Sequence, residues 1–203
     1  MVLSDKEILK IQGGSAPLIT PFDDSKLRAA SYDVSLDGEI TALLERADVL
    51  DLSNQDAVDL IYSTKRGLGE FILKPGQYCL AALNEVIALP DNVVARVMPR
   101  TRFTRLGLLV TPQFCNPSYS GRLQIGILNV SGNNIKLAPK MGIAQLVFER
   151  LESTPTEGRL YRNQPSAAYQ DEDGFIGAQT KSEMSDGARR IYDRMMANLR
   201  TES

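Results

Sequence analysis

The chain has 203 residues, 43% of them hydrophobic and 24% charged, with a formal net charge of −2. That is long enough for one domain with a buried core, without an apolar run that would span a membrane, and too balanced in charge for a strongly basic nucleic-acid surface. Histidine is absent and Cys79 and Cys115 are the only cysteines, so a Ser-His-Asp triad, a Cys-His pair and a zinc site built on His or CxxC ligands are all excluded. Any chemistry must draw on carboxylates, hydroxyls, Lys or Arg, backbone dipoles or a borrowed metal ion. The start, Met1 to Glu7, has no apolar stretch of the secretory kind, and the expectation is a cytoplasmic protein with reduced thiols.

Ser4 and Glu7 stand in capping-box spacing before Ile8 and Leu9, which predicts a short helix over Ser4–Lys10 stopped by Gly13-Gly14. Ser15 to Leu27, with Pro17 and Pro21, reads as loop. From Ala29 onward the pattern is short strands and turns. Strands are expected at Glu70–Leu73 and Gln77–Ala81 around the turn pair Pro75-Gly76, then at Val93–Met98, Gly107–Val110, Arg122–Val130 and Ile143–Glu149. Leu123, Ile125 and Ile127 alternate with Arg122, Gln124 and Gly126, so one face of that strand is buried. Asp48 to Ser63 fits no period and reads as an irregular insertion. Near the C-terminus Ser185-Asp186 can cap a helix to about Leu199, with Ala188, Ile191, Tyr192, Met195 and Leu199 on one face. That stripe either packs on the body or a neighbouring subunit, or serves as an arm for a protein partner.

Several segments, in order, resemble the dCTP deaminase/dUTPase family. Leu3 to Ile8 with Ile19-Thr20-Pro21-Phe22 is similar to the start of a bacterial dCTP deaminase. Ala29-Ala30-Ser31-Tyr32-Asp33-Val34-Ser35-Leu36 resembles the first family motif, and Pro99-Arg100-Thr101-Arg102-Phe103-Thr104-Arg105-Leu106-Gly107-Leu108 the second, usually G-R-S-S-L-A-R-L-G-L. Asn116-Pro117-Ser118-Tyr119-Ser120-Gly121 is similar to the third, D-P-G-[YFW]-x-G. Pro139 to Glu149 resembles the fourth, P-G-M-x-I-x-Q-L-x-F-E. Tyr169-Gln170 with Asp173-Gly174 resembles the tail motif. The resemblance covers about residues 3–178. It implies a mainly β protein, a distorted β-barrel of the dUTPase/dCTP deaminase type with a short N-terminal helix and a C-terminal helix. Residues 1–178 would form the barrel domain and 179–203 a helical extension. The family implies a homotrimer with sites between subunits, a bound deoxynucleoside triphosphate with Mg2+, no zinc, and a carboxylate acting as base.

The chain departs from the family at those carboxylates. The deaminase glutamate lies five residues beyond the third-motif glycine, which is Gly126 here, and the dUTPase aspartate is Asn116. Neither glycine nor an amide is a base near neutral pH. Arg102 replaces a motif-two serine, the loop from Val110 to Cys115 is about two residues short, Ala168 replaces a lysine, and Glu172 replaces the tail glutamine. Binding groups persist. The resemblance assigns nucleotide contacts to Arg100, Thr101, Arg102, Arg105, Asn116, Tyr119, Gln145, Tyr169 and Phe175, with guanidiniums on phosphate, Tyr119 beneath deoxyribose and Phe175 stacked on the base.

Plainer readings stand beside these. Asp33 is a nucleotide contact or a structural carboxylate, the three arginines a phosphate cluster or an interface ion-pair network, and Tyr119 a sugar platform or core. Cys115 reads as a buried apolar residue. Asp171, Glu172 and Asp173 are a Mg2+ site or a solvated tail. The expected function is a deoxynucleoside triphosphate-binding, dCTP deaminase-like protein with a degenerate catalytic centre, acting as a trimeric sensor, regulator or structural module. The alternative is an active dCTP deaminase or nucleotide hydrolase with a relocated base such as Glu172. A pure assembly module is the third possibility.

Overall fold

The computed structural model describes residues 1–46 and 49–180. The C-terminal helix expected near residues 185–199 lies outside them. The chain divides into two compact units, one of Met1–Leu44 with Ser63–Ile176 and one of Glu45–Tyr62 with the chain from Gly177 onward.

The first unit is mainly β. After helix α1 (Asp5–Gln12) come β1 (Ile19–Thr20), β2 (Leu27–Arg28) and β3 (Ser31–Leu43). The second unit's α2 (Gln55–Asp59) intervenes before β4 (Tyr62–Lys65), β5 (Phe71–Leu73), β6 (Tyr78–Ala88) and β7 (Val93–Pro99). Then follow α3 (Thr101–Thr104), β8 (Leu108–Val110), β9 (Gln113–Cys115), β10 (Ser120–Asn129), β11 (Ile135–Leu137) and β12 (Gly142–Arg150). One sheet runs β8-β10-β6-β3-β12-β7-β9, with β1 on β6 and with β2 and β4 on β3, and β11 pairs with β5 separately. The sheet curls into a half-barrel, in keeping with the mainly β, distorted-barrel fold class expected from the sequence.

Local chemistry explains most of these elements. Pro75-Gly76 turns the chain as expected: Gly76 takes φ +74° and the Gln77 N–H donates to the Lys74 carbonyl at 3.0 Å. Leu123, Ile125 and Ile127 are buried, but so are Gln124 and Gly126, so β10 is covered on both faces. Tyr32, Phe148, Leu83, Ile87 and Leu108 fill the core around it, each contributing about 1.5–3 kcal/mol by leaving water. The capping box at α1 is not formed: Ser4 makes no side-chain cap, and Glu7 pairs with Arg150 at 3.1 Å instead. The sequence pattern also missed a buried ion pair. Glu85, on β6, accepts from Lys26 Nζ at 2.6 Å and from the Ser35 N–H and Oγ at 2.9 Å each, tying β6 to β3 and the turn before β2.

The second unit has its own capping chemistry. The Asn54 side chain accepts from the Ala57 N–H at the start of α2. Gln55 donates to the Ala178 carbonyl at 2.8 Å and accepts from the Thr180 N–H at 3.0 Å. No helix among the described residues is long and apolar enough to cross a membrane.

Two positions where the family motifs carry glycine hold side chains here in left-handed backbone: Ser118 at φ +66° and Lys140 at φ +63°. That conformation costs a non-glycine residue about 1–2 kcal/mol, against about 0.5–1 kcal/mol for glycine's greater unfolded entropy. Ser118 recovers part through its Oγ, which accepts from the Arg162 N–H at 3.1 Å, whereas Lys140 is exposed. Thermal denaturation is therefore expected to show Lys140→Gly stabilised by about 0.5–1 kcal/mol and Ser118→Gly close to neutral, because strain relief offsets a hydrogen bond of similar worth. Ser118→Ala, which keeps the strain and loses the bond, is expected to cost about 1 kcal/mol. A destabilised Lys140→Gly would contradict the strain assignment.

Candidate functional site

Motifs one, two and four meet at one end of the sheet. Asp33 on β3 faces Gln145 on β12 across the ladder, and Ala144 faces Pro99 at the end of β7, so Arg100 emerges beside both. Asp33 is 5% exposed. Its Oδ2 takes Arg28 Nε at 2.9 Å and Nη2 at 2.7 Å, and Arg100 Nη2 lies at 3.3 Å. Arg100 Nη1 donates to the Gly142 carbonyl at 3.3 Å, and Ser31 Oγ donates to Gln145 Oε1 at 3.1 Å. Asp33 is thus a structural carboxylate that orients Arg100 within one chain. Thr101 and Arg102 on α3, and Arg105 just after it, are exposed, and the two arginines make no ion pair with a described residue.

The other candidates gather elsewhere. Asn116 follows β9, whose Cys115 faces Ala95 on β7. Four residues of β7 separate that register from Pro99, about 13 Å at strand rise. Asn116 is exposed, and its carbonyl accepts the Tyr119 N–H at 3.2 Å. Tyr119 is 5% exposed and packs edge-on against Tyr161 at 5.6 Å. The Tyr169 N–H donates to the Tyr161 hydroxyl at 3.3 Å. The Phe175 N–H donates to Glu39 Oε1 at 2.8 Å. Cys115 is buried, and burial pushes its thiol up to about 12.

Position 126 has no room for a side chain. A Cβ on Gly126 would overlap the Tyr78 hydroxyl and stand 2.8 Å from Thr111 Oγ1. Thr111 also clamps the backbone: its Oγ1 accepts the Gly126 N–H at 3.0 Å, and its own N–H donates to the Gly126 carbonyl at 2.9 Å. The glycine is therefore part of a remodelled wall, and restoring glutamate there requires moving Tyr78.

Carboxylates concentrate instead where the tail crosses β10. The Asp171 N–H donates to the Ser120 carbonyl at 2.7 Å, the Arg122 N–H donates to the Glu172 carbonyl at 2.6 Å, and Glu172 bridges Gly121. Of the acidic run, Asp171 and Asp173 are exposed but Glu172 is only 6% exposed, which corrects the solvated-tail expectation for that residue. No group of three or more His, Cys, Asp or Glu among the described residues is arranged to hold a metal. Glu39, also 6% exposed, comes from β3. It accepts from Arg66 Nε at 2.5 Å, Gln124 Nε2 at 3.1 Å and the Phe175 N–H. A pocket of about 440 Å3 opens beside it, lined by Glu39, Arg66, Gly67, Arg122, Asp173 and Gly174 among others. Burial pushes the Glu172 carboxyl up to about 7, the Glu39 charge adds to the rise, and the Ile176 N–H, donating to Oε1 at 3.0 Å, opposes it. Sequence reasoning missed Glu39 altogether. Its signal was faint, one of three acidic residues in β3 and part of none of the motifs.

The family model described as dCTP deaminase-like matches residues 2–151. A dCTP deaminase, dUMP-forming, of Nocardioides sp. (strain ATCC BAA-499 / JS614) is 36% identical over 186 residues, covering 84% of this chain and 96% of the relative. One of the same name from Halobacterium salinarum is 36% identical over 183 residues, covering 86% and 92%. Among solved structures, the 2'-deoxycytidine 5'-triphosphate deaminase of Agrobacterium tumefaciens superposes with a TM-score of 0.58 over 73% of this chain at 17% identity, a likeness of fold. This chain spans 48% of that one.

Two outcomes follow from the crowding and from the buried acid. Gly126→Ala is expected to cost about 1–3 kcal/mol by overpacking, and most of that penalty should vanish in a Tyr78→Ala background. Strictly additive losses in denaturant titrations would remove Tyr78 as the obstacle. For Glu172, the folded carboxyl (about 7) holds its proton more tightly than the unfolded one (4.5). Folding therefore takes up a proton between those values, and stability falls as pH rises through that window. The Tm of Glu172→Gln minus that of the parent protein is expected to grow from about pH 5 to about pH 8. A constant difference would mean that Glu172 titrates normally.

Proposed function

This chain belongs to the dCTP deaminase-like family, and we propose that it binds a pyrimidine deoxynucleoside triphosphate of the dCTP class and deaminates its base hydrolytically. One observation carries the binding half. Arg100, fixed by Asp33 next to Gln145, is followed at once by Arg102 and Arg105, which are exposed with no described ion-pair partner. Guanidiniums so placed match phosphate oxygens in charge and geometry. The magnesium ion arrives with the substrate's phosphates. The relatives, named as dCTP deaminases, support the reaction half. Because Gly126 offers no acid or base, the proton-transfer carboxylate must stand elsewhere in the chain.

The assembly we propose is a homotrimer. Its support is the separation of the Arg100 group from the Asn116–Tyr119 group, which a site shared between subunits would unite. The exposed apolar side chains Leu106, Leu109, Phe114 and Val130 also call for cover.

A second reading, binding without turnover, is favoured by the Tyr78 hydroxyl standing where the family glutamate would begin. In that case the chain is a nucleotide-stabilised sensor or regulator.

One set of measurements separates the two. The protein is incubated with Mg2+ and dCTP, dUTP, dTTP or ribonucleotides, and thermal shift, product chromatography and light-scattering mass are recorded. The expected outcome is a stabilising shift with dCTP, release of ammonia with dUTP or dUMP as product, and the mass of three chains. A shift without product establishes the sensor reading. No shift with any nucleotide refutes both.

A further inference from the structure

We propose that the strap of residues 169–176 is a pH-operated latch, closed on β10 while Glu172 carries a proton and opened as that carboxyl ionises. The movement does not depend on whether the chain turns over a nucleotide.

Two consecutive strap amides end on two carboxyls. The Phe175 N–H donates to Glu39 Oε1 at 2.8 Å and the Ile176 N–H to Glu172 Oε1 at 3.0 Å, so the two acids are held side by side. Each residue is only 6% exposed. One cation serves the pair: Arg66 Nε lies 2.5 Å from Glu39 Oε2, whereas Glu172 makes no ion pair with a described residue. The Arg122 guanidinium on β10 is already spent on Asp173 and on the Leu83 and Asn84 carbonyls. Donors are short as well. Gln124 gives its Nε2 to Glu39 at 3.1 Å, and its buried Oε1 has no hydrogen-bond partner. A buried carboxyl with no cation, beside a second carboxylate, is held in place as the neutral acid. Once ionised it must regain water, and its way out is to lift the strap.

The strap is lightly fastened. Apart from those two bonds, the Asp171 N–H donates to the Ser120 carbonyl at 2.7 Å and the Arg122 N–H to the Glu172 carbonyl at 2.6 Å. Gln170 adds long bonds to the Ser118 carbonyl and the Ser120 N–H, and Asp173 meets Arg122 through a carboxylate that is 83% exposed. Asp171 is held at φ +57°, a left-handed conformation that strains a residue with a Cβ and is relieved when the strap lifts. Tyr169 and Phe175, tail residues to which the family resemblance assigns nucleotide contacts, ride on the strap and move when it opens.

The direction of the switch follows from proton linkage. Burial, reinforced by the Glu39 charge and opposed by the Ile176 N–H, holds the closed-state carboxyl at about 7, against 4.5 in water. Closing therefore takes up a proton between those values. The closed strap is favoured in full below about 4.5, loses about tenfold per pH unit across the window, and levels off above about 7. The titratable or charged groups around Glu172 are Glu39 on β3, Arg66 just after β4, Arg122 on β10, Tyr119, Tyr161, and Asp171 and Asp173 on the strap itself. Burial keeps both tyrosines protonated across the window.

Amide hydrogen exchange of the full chain without nucleotide, followed from about pH 5 to about pH 8 and corrected for the intrinsic rate, reads the latch. The Asp171 and Arg122 amides are expected to lose about 50–100-fold in protection over that range, while the amides of the β10–β6 ladder keep theirs. Glu172→Gln, which keeps the shape and an acceptor for Ile176 but cannot ionise, is expected to stay protected throughout. Parent protection that does not fall with pH, that falls equally in Glu172→Gln, or that falls equally in the β10–β6 ladder overturns the latch. If Glu172→Gln does not fold, carbon-13 titration of the Glu172 carboxyl in the parent decides. A midpoint that tracks the loss of protection supports the latch, and an ordinary midpoint near 4.5 overturns it.

Discussion

Two backbone hydrogen bonds dock the tail that carries Glu172 onto β10: Asp171 N–H to the Ser120 carbonyl and Arg122 N–H to the Glu172 carbonyl. They add the tail to an edge of β10 that β8, pairing only with Ile127–Asn129, does not reach. The approach is close enough to require glycine. A Cβ on Gly121, at φ +150°, would lie 3.1 Å from the Glu172 N and O and 2.8 Å from the Tyr119 hydroxyl. Burial of Glu172, its proximity to Glu39 and the seat of Phe175 on Glu39 all depend on that docking. A tail released from β10 would return Glu172 to water, and with it to the ordinary carboxylate range.

The same strand shows what was exchanged. At position 126 the wall is filled by Tyr78 from the neighbouring β6 and clamped by Thr111, so the loss of the family glutamate is a packing feature and not an isolated deletion. At Ser118 and Lys140 side chains occupy left-handed backbone where the family motifs carry glycine, so the backbone path is kept although the residue best suited to it is gone. Conservation of shape with replacement of side chains is the pattern at all three positions. It explains why the fold follows the family while the chemistry has to be located afresh.

Much of the fold was legible because its signals are local. Alternation marked β10, Pro75-Gly76 marked its turn, and the ordered motifs marked the sheet. The elements that were misread depend on contacts between distant parts of the chain. Ser4 and Glu7 had the spacing of a cap, yet Glu7 is drawn to Arg150 across the fold. Asp48 to Ser63 had no period because its short helix is fixed by Gln55, which donates to the Ala178 carbonyl and accepts from the Thr180 N–H, far along the chain. Asp171, Glu172 and Asp173 look equivalent as a charge run, and only the pairing with β10 turns one of them inward. Of the site residues, Arg100 and Gln145 come together as the motifs imply, whereas Glu39 and Tyr78 carry no motif and become visible only through their neighbours.

Binding and chemistry are physically separable here. The arginine group depends on Asp33, whose one carboxylate faces two guanidiniums, Arg28 and Arg100, and so leaves the cluster with excess positive charge. Exposed Arg102 and Arg105 add to it, and because single exposed ion pairs are worth about 1 kcal/mol or less, grip on a triphosphate requires several acting together. None of these groups touches the Glu39–Glu172 centre in the described contacts. A chain can therefore keep its hold on nucleotide while its proton-transfer group is lost or moved.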